Sequence, residues 1–246
     1  MKVLKFGGSS VANSENIKKV LAIVANASKE QKVAVVVSAF GKTTDNLLAA
    51  ANSALVDITI AKNILETIKE LHYQVIDDLI SSQKKEVLEV VTSLLDRLCS
   101  IYEGVFLLQE LSDKTLAKVS SFGERLSSFI IANAANELFD AAHKESKALI
   151  STNNEYLNAQ VNFKITNQNI TSFFDNNKHQ VIVLGGFISS NLNGETTTLG
   201  RGGSDFSASI YAAALNAVEL QIWTDVPGMF TANPRVVKQA YPISEI

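Results

Sequence analysis

Two glycine-rich segments at opposite ends of the chain hold the residues best suited to chemistry. The first is Lys5-Phe6-Gly7-Gly8-Ser9-Ser10, which follows the apolar pair Val3-Leu4. The second is Gly200-Arg201-Gly202-Gly203-Ser204-Asp205, which opens a helical pattern running from Phe206 to Asn216. Paired glycines let backbone N–H groups approach a ligand without a Cβ in the way. A loop that runs into a helix start also points unpaired N–H groups and a partial positive charge at an anion. Lys5 and Arg201 add full charges. The chemistry this describes is the grip of one polyphosphate from two sides.

Other candidate chemistries fail on spacing. Gly41-Lys42-Thr43 looks like the tail of a phosphate-binding P-loop, but that loop needs glycine at position 36, which is valine. Gly200 and Gly202 would require Gly at 205 for a dinucleotide fingerprint, and 205 is aspartate. His72, His143 and His179 are scattered, so no metal set is expected, and each histidine reads as a surface or packing residue. No G-x-S-x-G elbow occurs.

The elements that must position these residues follow from periodicity. The N-terminal third reads as strand 2–6, helix about 11–29, strand 33–38 and helix about 43–55. Its strands are short β-branched runs without polar alternation, which suits a parallel sheet covered on both faces. Residues 57 to about 120 carry apolar side chains at spacings of three and four and read as a helical lobe; helix extends to about 140. Strand–helix alternation then returns. Ala148-Leu149-Ile150 is a strand candidate. Val181 to Leu184 is a stronger one ending in Gly185-Gly186, with Phe187-Ile188-Ser189 continuing it. Asn193-Gly194 is the best hairpin signal. Helix 204–216 leads to strand 219–223 and a turn at Val226-Pro227-Gly228. The expected fold is α/β: a three-layer αβα sandwich with an open, mainly parallel central sheet and a helical lobe inserted at about 57–120. Open sheets of this kind bind ligands beyond the carboxyl ends of their strands. That rule gathers Lys5–Ser10, Ser38-Ala39, Gly185-Gly186 and Thr224-Asp225 along one edge. Such an edge fits phosphoryl transfer, where positioning and charge stabilisation do most of the work. Lys5 would neutralise the transferred group, and N–H groups of Gly7, Gly8, Gly202 and Gly203 would hold phosphate oxygens. Asp205 would organise Lys5 or position Mg²⁺.

Composition bounds the class. The 246 residues carry 22 basic and 25 acidic side chains, a formal charge of −3, with 46% apolar residues. No basic excess points to nucleic acid. No apolar run reaches the length of a membrane span, and the N-terminus is too soon broken by glycine to be a signal peptide. The single cysteine, Cys99, fits a reducing cytoplasm and reads as a packing residue.

At these same residues the chain resembles the aspartate kinases, within the amino-acid kinase superfamily, over essentially its whole length. Lys5 to Ser10 is similar to that family's K-F-G-G-(S/T)-S signature. Ser121-Phe122-Gly123-Glu124-Arg125 resembles its S-x-G-E segment, and Leu199 to Asp205 its L-G-R-G-G-S-D loop. Trp223-Thr224-Asp225-Val226-Pro227-Gly228 with Asn233-Pro234-Arg235 looks like its nucleotide segment. The long helical lobe also resembles the form fused to homoserine dehydrogenase. The resemblance implies ATP- and Mg²⁺-dependent phosphorylation of the β-carboxylate of L-aspartate to 4-phospho-L-aspartate, the first step toward lysine, threonine and methionine. It implies Lys5 and Asp205 at the reacting centre. Ser38, Thr44, Glu124, Arg201 and Ser204 would hold aspartate, with Arg201 on the α-carboxylate and Glu124 on the ammonium. Gly7, Gly8, Ser9, Gly202, Gly203, Thr224, Asp225, Phe230 and Arg235 would hold nucleotide. Phe230 stands where the family often has tyrosine, and Asn233 where it has aspartate. The family continues with a further helix, a lysine that contacts nucleotide phosphates and regulatory ACT domains. The expectation is therefore a piece of a longer, homo-oligomeric parent, with weak or no turnover and no feedback inhibition of its own. Rival readings are a kinase for glutamate or N-acetylglutamate, and a non-catalytic nucleotide-binding or assembly module. A nicotinamide-dependent oxidoreductase is disfavoured by the missing fingerprint.

Overall fold

The computed structural model describes residues 1–224, 228, 230–233 and 236–243. In chain order the elements are β1 (Lys2–Phe6), α1 (Ser14–Ser28), β2 (Val33–Val37), α2 (Thr43–Ala54), α3 (Ile58–Leu79), α4 (Lys84–Leu108) and α5 (Asp113–Asn136). They continue with β3 (Ala141–Lys144), β4 (Ser151–Thr152), α6 (Phe163–Asn176), β5 (Val181–Gly185), β6 (Ile188–Asn191), β7 (Thr196–Thr198), α7 (Gly203–Ala214) and β8 (Glu219–Trp223). The main sheet has the order β3-β5-β2-β1-β8, and every pairing in it is parallel. A small sheet, β4-β6-β7, carries the Asn193-Gly194 hairpin between antiparallel β6 and β7, with Gly194 at φ +74°.

Alternation along the strands sorts side chains into two cores. Leu4, Phe6, Val33, Val35 and Val37 pack with α1 to α5 on one face. Val3, Ala34 and Val36 pack with α6 and α7 on the other. The three layers are therefore α1/α5, the sheet, and α6/α7. The helical lobe shares its apolar core with the first layer, from Leu65 and Ile68 on α3 through Leu98 on α4 to Ile130 on α5. Side-chain caps start the helices where the sequence offers them. Asn13 accepts from Asn16 N–H at α1, Asp57 from Thr59 N–H at α3, and Ser112 from Thr115 N–H at α5.

Four expectations change. Ala148-Leu149-Ile150 is not a strand. Ser146–Ala148 form a 3₁₀ turn, and β4 begins at Ser151. The turn is fixed because Ser146 Oγ donates to Gly185 O and accepts from Tyr211 OH. Strand β3, with the sequence AAHK, carries no apolar run, so periodicity does not reveal it. Phe187-Ile188-Ser189 does not extend β5. Phe187 sits at φ +67°, and β6 turns away into the small sheet. The first helix begins at Ser14, after a separate 3₁₀ turn at Ser9–Val11. Asp225, Arg235, the Val226-Pro227 half of the expected turn and a possible helix start at Ser244-Glu245 lie outside the described residues.

Candidate active site

Strand alternation places Lys5 on the same face as Val3, which is the face α7 covers. Asp205 sits in the first turn of α7. The two meet at 2.6 Å between Lys5 Nζ and Asp205 Oδ1, an ion pair whose angles fall outside hydrogen-bond geometry. The Lys5 side chain is 10% exposed and that of Asp205 50%. The ammonium is therefore fixed from below by a buried strand while the carboxylate opens to solvent.

The pair lines a cavity of about 290 Å³ at the carboxyl ends of the strands, together with Ser38, Thr44, Glu124, Phe187, Gly200, Gly202, Gly203 and Ser204. Each arrives by its own route. Ser38 follows β2, and its N–H donates to Phe6 O at 3.1 Å. Its carbonyl accepts from Ser127 Oγ on α5 at 2.9 Å. Thr44 is in the first turn of α2, where Thr43 Oγ1 donates to Phe40 O at 2.7 Å and holds the loop. Ser204 and Asp205 follow Gly202, which caps α7 at φ +73°, a conformation that strains any residue with a Cβ. The N–H groups of Gly202, Ser204 and Asp205 meet no acceptor among the described residues and are free to point at an anion.

Glu124 is a buried acid at the cavity wall, 4% exposed. The sequence alone would class it as a helix-surface residue. Its helix approaches the Ser38-Ala39 loop so closely at Gly123 that a Cβ there would lie 2.7 Å from Ala39 Cβ. The N–H groups of Ala39 and of Glu124 itself favour the charged carboxyl, while Oε2 has no hydrogen-bond partner among the described residues. Burial pushes its pKa up to about 8, against the opposing pull of these N–H groups and of Lys5.

The other expected residues distribute around this centre. Ser9 and Thr224 line a neighbouring cavity of about 270 Å³ with Ser10, Asn16, Lys19 and Trp223. Arg201 is exposed on the glycine loop and makes no ion pair among the described residues. Gly7 lies beside the Lys5 ammonium. Its N–H, however, donates to Trp223 O at 3.3 Å, and that of Gly203 to Gly200 O at 3.0 Å, so both are committed to the fold rather than to phosphate. Gly8 packs its Cα against the carbonyls of Ala39 and Gly41. Phe230 bridges Pro242 and lines neither cavity. Asp225 and Arg235 are outside the described residues. No group of three metal-ligating side chains occurs among the described residues.

Phe187 is the cavity residue that sequence reasoning missed. A bulky residue at φ +67° is an outlier of the kind that clusters at functional sites. Tertiary bonds hold it there: its N–H donates to Ser207 Oγ at 2.9 Å, and its carbonyl accepts from Leu199 N–H at 2.9 Å. Its position directly after Gly185-Gly186 is the signal that could have found it.

Proteins of known kind are similar to this chain. It is 33% identical to a bifunctional aspartokinase/homoserine dehydrogenase of Buchnera aphidicola, covering 100% of this chain and 31% of that protein. It is 34% identical to the chloroplastic aspartokinase 1 of Arabidopsis thaliana, covering 98% of this chain and 43% of that one. Among solved structures, E. coli aspartokinase III in complex with aspartate and ADP superposes with a TM-score of 0.90 at 30% identity, over 99% of this chain and 53% of that chain. The chain thus spans about a third to a half of the length of these relatives. The model of the amino acid kinase family matches residues 1–246, and the chain belongs to that family.

Proposed function

We propose that the chain carries the catalytic site of an aspartate kinase, transferring the γ-phosphoryl group of MgATP to the β-carboxylate of L-aspartate. The observation that carries this reading is the convergence of Lys5, Asp205 and Glu124, whose buried Oε2 has no partner among the described residues, on one cavity rimmed by a helix N-terminus. An amino acid with a second carboxylate fits its parts. Glu124 accepts the α-ammonium. Ser38, Thr44 and Ser204 offer hydroxyls, and Arg201 on the loop supplies a fork for the α-carboxylate. The β-carboxylate, with a pKa of about 4, is already ionised and needs no general base. Its oxygen forms a bond to the γ-phosphorus while the bond to the β-phosphate oxygen breaks, and ADP leaves. The difficulty is repulsion between anions, and Lys5 with the free N–H groups of Gly202, Ser204 and Asp205 relieves it.

The nucleotide would extend from the first glycine loop toward Thr224 and the cavity beside Ser9. Mg²⁺ is commonly held by one or two carboxylates and the substrate phosphates rather than by a protein cage. Asp205, half exposed beside the cavity, fits that single-carboxylate role. Held there, the ion would offset the charge of the transferred phosphate. One unpaired cysteine, Cys99, supports a reducing compartment such as cytoplasm or plastid.

Hydroxamate trapping of an acyl phosphate from MgATP with L-aspartate, L-glutamate and N-acetyl-L-glutamate tests the reading. Acyl phosphate from aspartate in preference to the other two is expected. Turnover of N-acetylglutamate instead would sink the role given to Glu124.

A further inference from the structure

Glu124 presents a conflict that the phosphoryl-transfer chemistry does not resolve. Its carboxyl is 4% exposed, and Oε2 is buried with no donor. The cation that shares its cavity, Lys5, is already engaged by Asp205 at 2.6 Å. On its own helix, Arg125 is turned away to Glu145 at 3.0 Å and lies over the Phe122 ring. From α2 and the β2 loop the neighbours are the neutral hydroxyls of Thr44 and Ser38. From β5 it is the backbone of Gly185 that packs against the Glu124 Cβ. His143 on β3 is tied to Ser128 at 3.0 Å, one turn further along α5. Among the described residues, the cavity therefore holds an acid served by backbone N–H groups, with no ion-pair partner of its own. A buried carboxylate in that position is costly to ionise, and the acid stays neutral.

We propose that ligands bearing an ammonium enter this cavity by proton exchange: as the –NH₃⁺ docks on Glu124, the Glu124 carboxyl releases one proton to solvent. The balance is simple. A neutral carboxylic acid and a ligand cation become a carboxylate–ammonium pair and a free proton. The inference rests on the functional reading above and extends it from which group binds the ammonium to how the site is regulated by pH. With the Glu124 carboxyl titrating at about 8, binding below that pH must first remove a proton. Apparent affinity then falls about tenfold for each pH unit between 8 and 6. Ligands without an ammonium cause no release.

Isothermal titration of L-aspartate into the full chain, in phosphate and in Tris at pH 7, reads the proton count from the difference in enthalpy. Close to one proton released per ligand is expected, dropping toward none above pH 9, and none for Glu124→Gln. N-acetyl-L-aspartate should release none. Infrared titration of the ligand-free protein, wild type minus E124Q, should show one carboxyl that deprotonates near pH 8. Aspartate binding with the same enthalpy in both buffers would overturn the proposal and leave the kinase reading standing. So would proton release that persists in E124Q, or a Glu124 band titrating in the ordinary carboxyl range. Failure of aspartate to bind at all would overturn the kinase reading, and the proposal with it.

Discussion

Lys5 acts on two carboxyl groups, and they divide its work. Asp205 holds its ammonium in place, and the Lys5 charge in turn eases the ionisation of Glu124. Replacing Lys5 with alanine should lower acyl-phosphate formation by about 10²–10³-fold, the scale of losing one preorganised electrostatic donor. It should also push the Glu124 carboxyl to a still higher pKa, which the infrared titration would register. Asp205 is half exposed, so the unpaired carboxylate finds water and the thermal midpoint should move little. A large loss of midpoint with normal turnover would reverse the assignment and make Lys5 a structural residue. Lys5 and Asp205 stand out in the sequence because their neighbours form distinctive runs, whereas Glu124 does so only through the resemblance of the Ser121–Arg125 segment to a known family. Phe187 does not, since its left-handed backbone is imposed by Ser207 and Leu199, partners distant in sequence.

Helix α5 couples the lobe to the site through a close approach at one glycine. Gly123→Ala would drive a methyl to 2.7 Å from Ala39 Cβ and 3.2 Å from Thr44 Oγ1. The loop bearing Ser38 and Thr44 must shift, so we expect a loss of about 1–3 kcal/mol in urea unfolding and a raised KM for aspartate. Gly104, inside α4, gives the contrast, because a methyl added there would meet nothing within 4 Å. Gly104→Ala should stabilise by about 0.5–1 kcal/mol with kinetics unchanged. Equal effects of the two substitutions would mean that the α5–loop contact does not position the site. At this scale the long helices were readable from their apolar spacing. Strand β3 and the Ser146 turn were not, because each is defined by contacts across the sheet rather than by its own pattern.

Stability of the whole molecule should peak near neutral pH for reasons that lie in three buried groups. Burial holds His72 and His143 at about 4, well below their usual value of 6.5. Between pH 4 and 6.5 the unfolded chain binds more protons at these two positions than the folded one, so stability rises with pH. Glu124 acts oppositely. Its folded value of about 8 lies above the ordinary 4.5, so the folded chain binds the extra proton and stability falls as pH rises between these limits. Two histidines outweigh one glutamate up to about pH 6.5. From there to 8 the glutamate acts alone, at about 1.4 kcal/mol per pH unit. Urea unfolding at pH 5, 6.5 and 8 should show a maximum at the middle value, and Glu124→Gln should flatten the alkaline limb. A wild-type curve still rising from 6.5 to 8 would show that Glu124 is ionised in the folded chain.

The sequence by itself determined which residues are candidates for chemistry, and that parallel strands joined by helices would bring their carboxyl ends to one edge. Those features are local: apolar runs of period two or near four, glycines at loop–helix junctions, and a lysine placed one residue before a strand ends. Tertiary structure alone decided which glycine N–H groups and which buried acid, Glu124, lack a partner among the described residues, and that Phe187 is held in a strained backbone to wall the cavity. Those depend on what chain segments far apart in sequence do to one another's solvation and hydrogen bonds. A side chain's environment belongs to its neighbours in space, and the order of residues fixes those only through the fold.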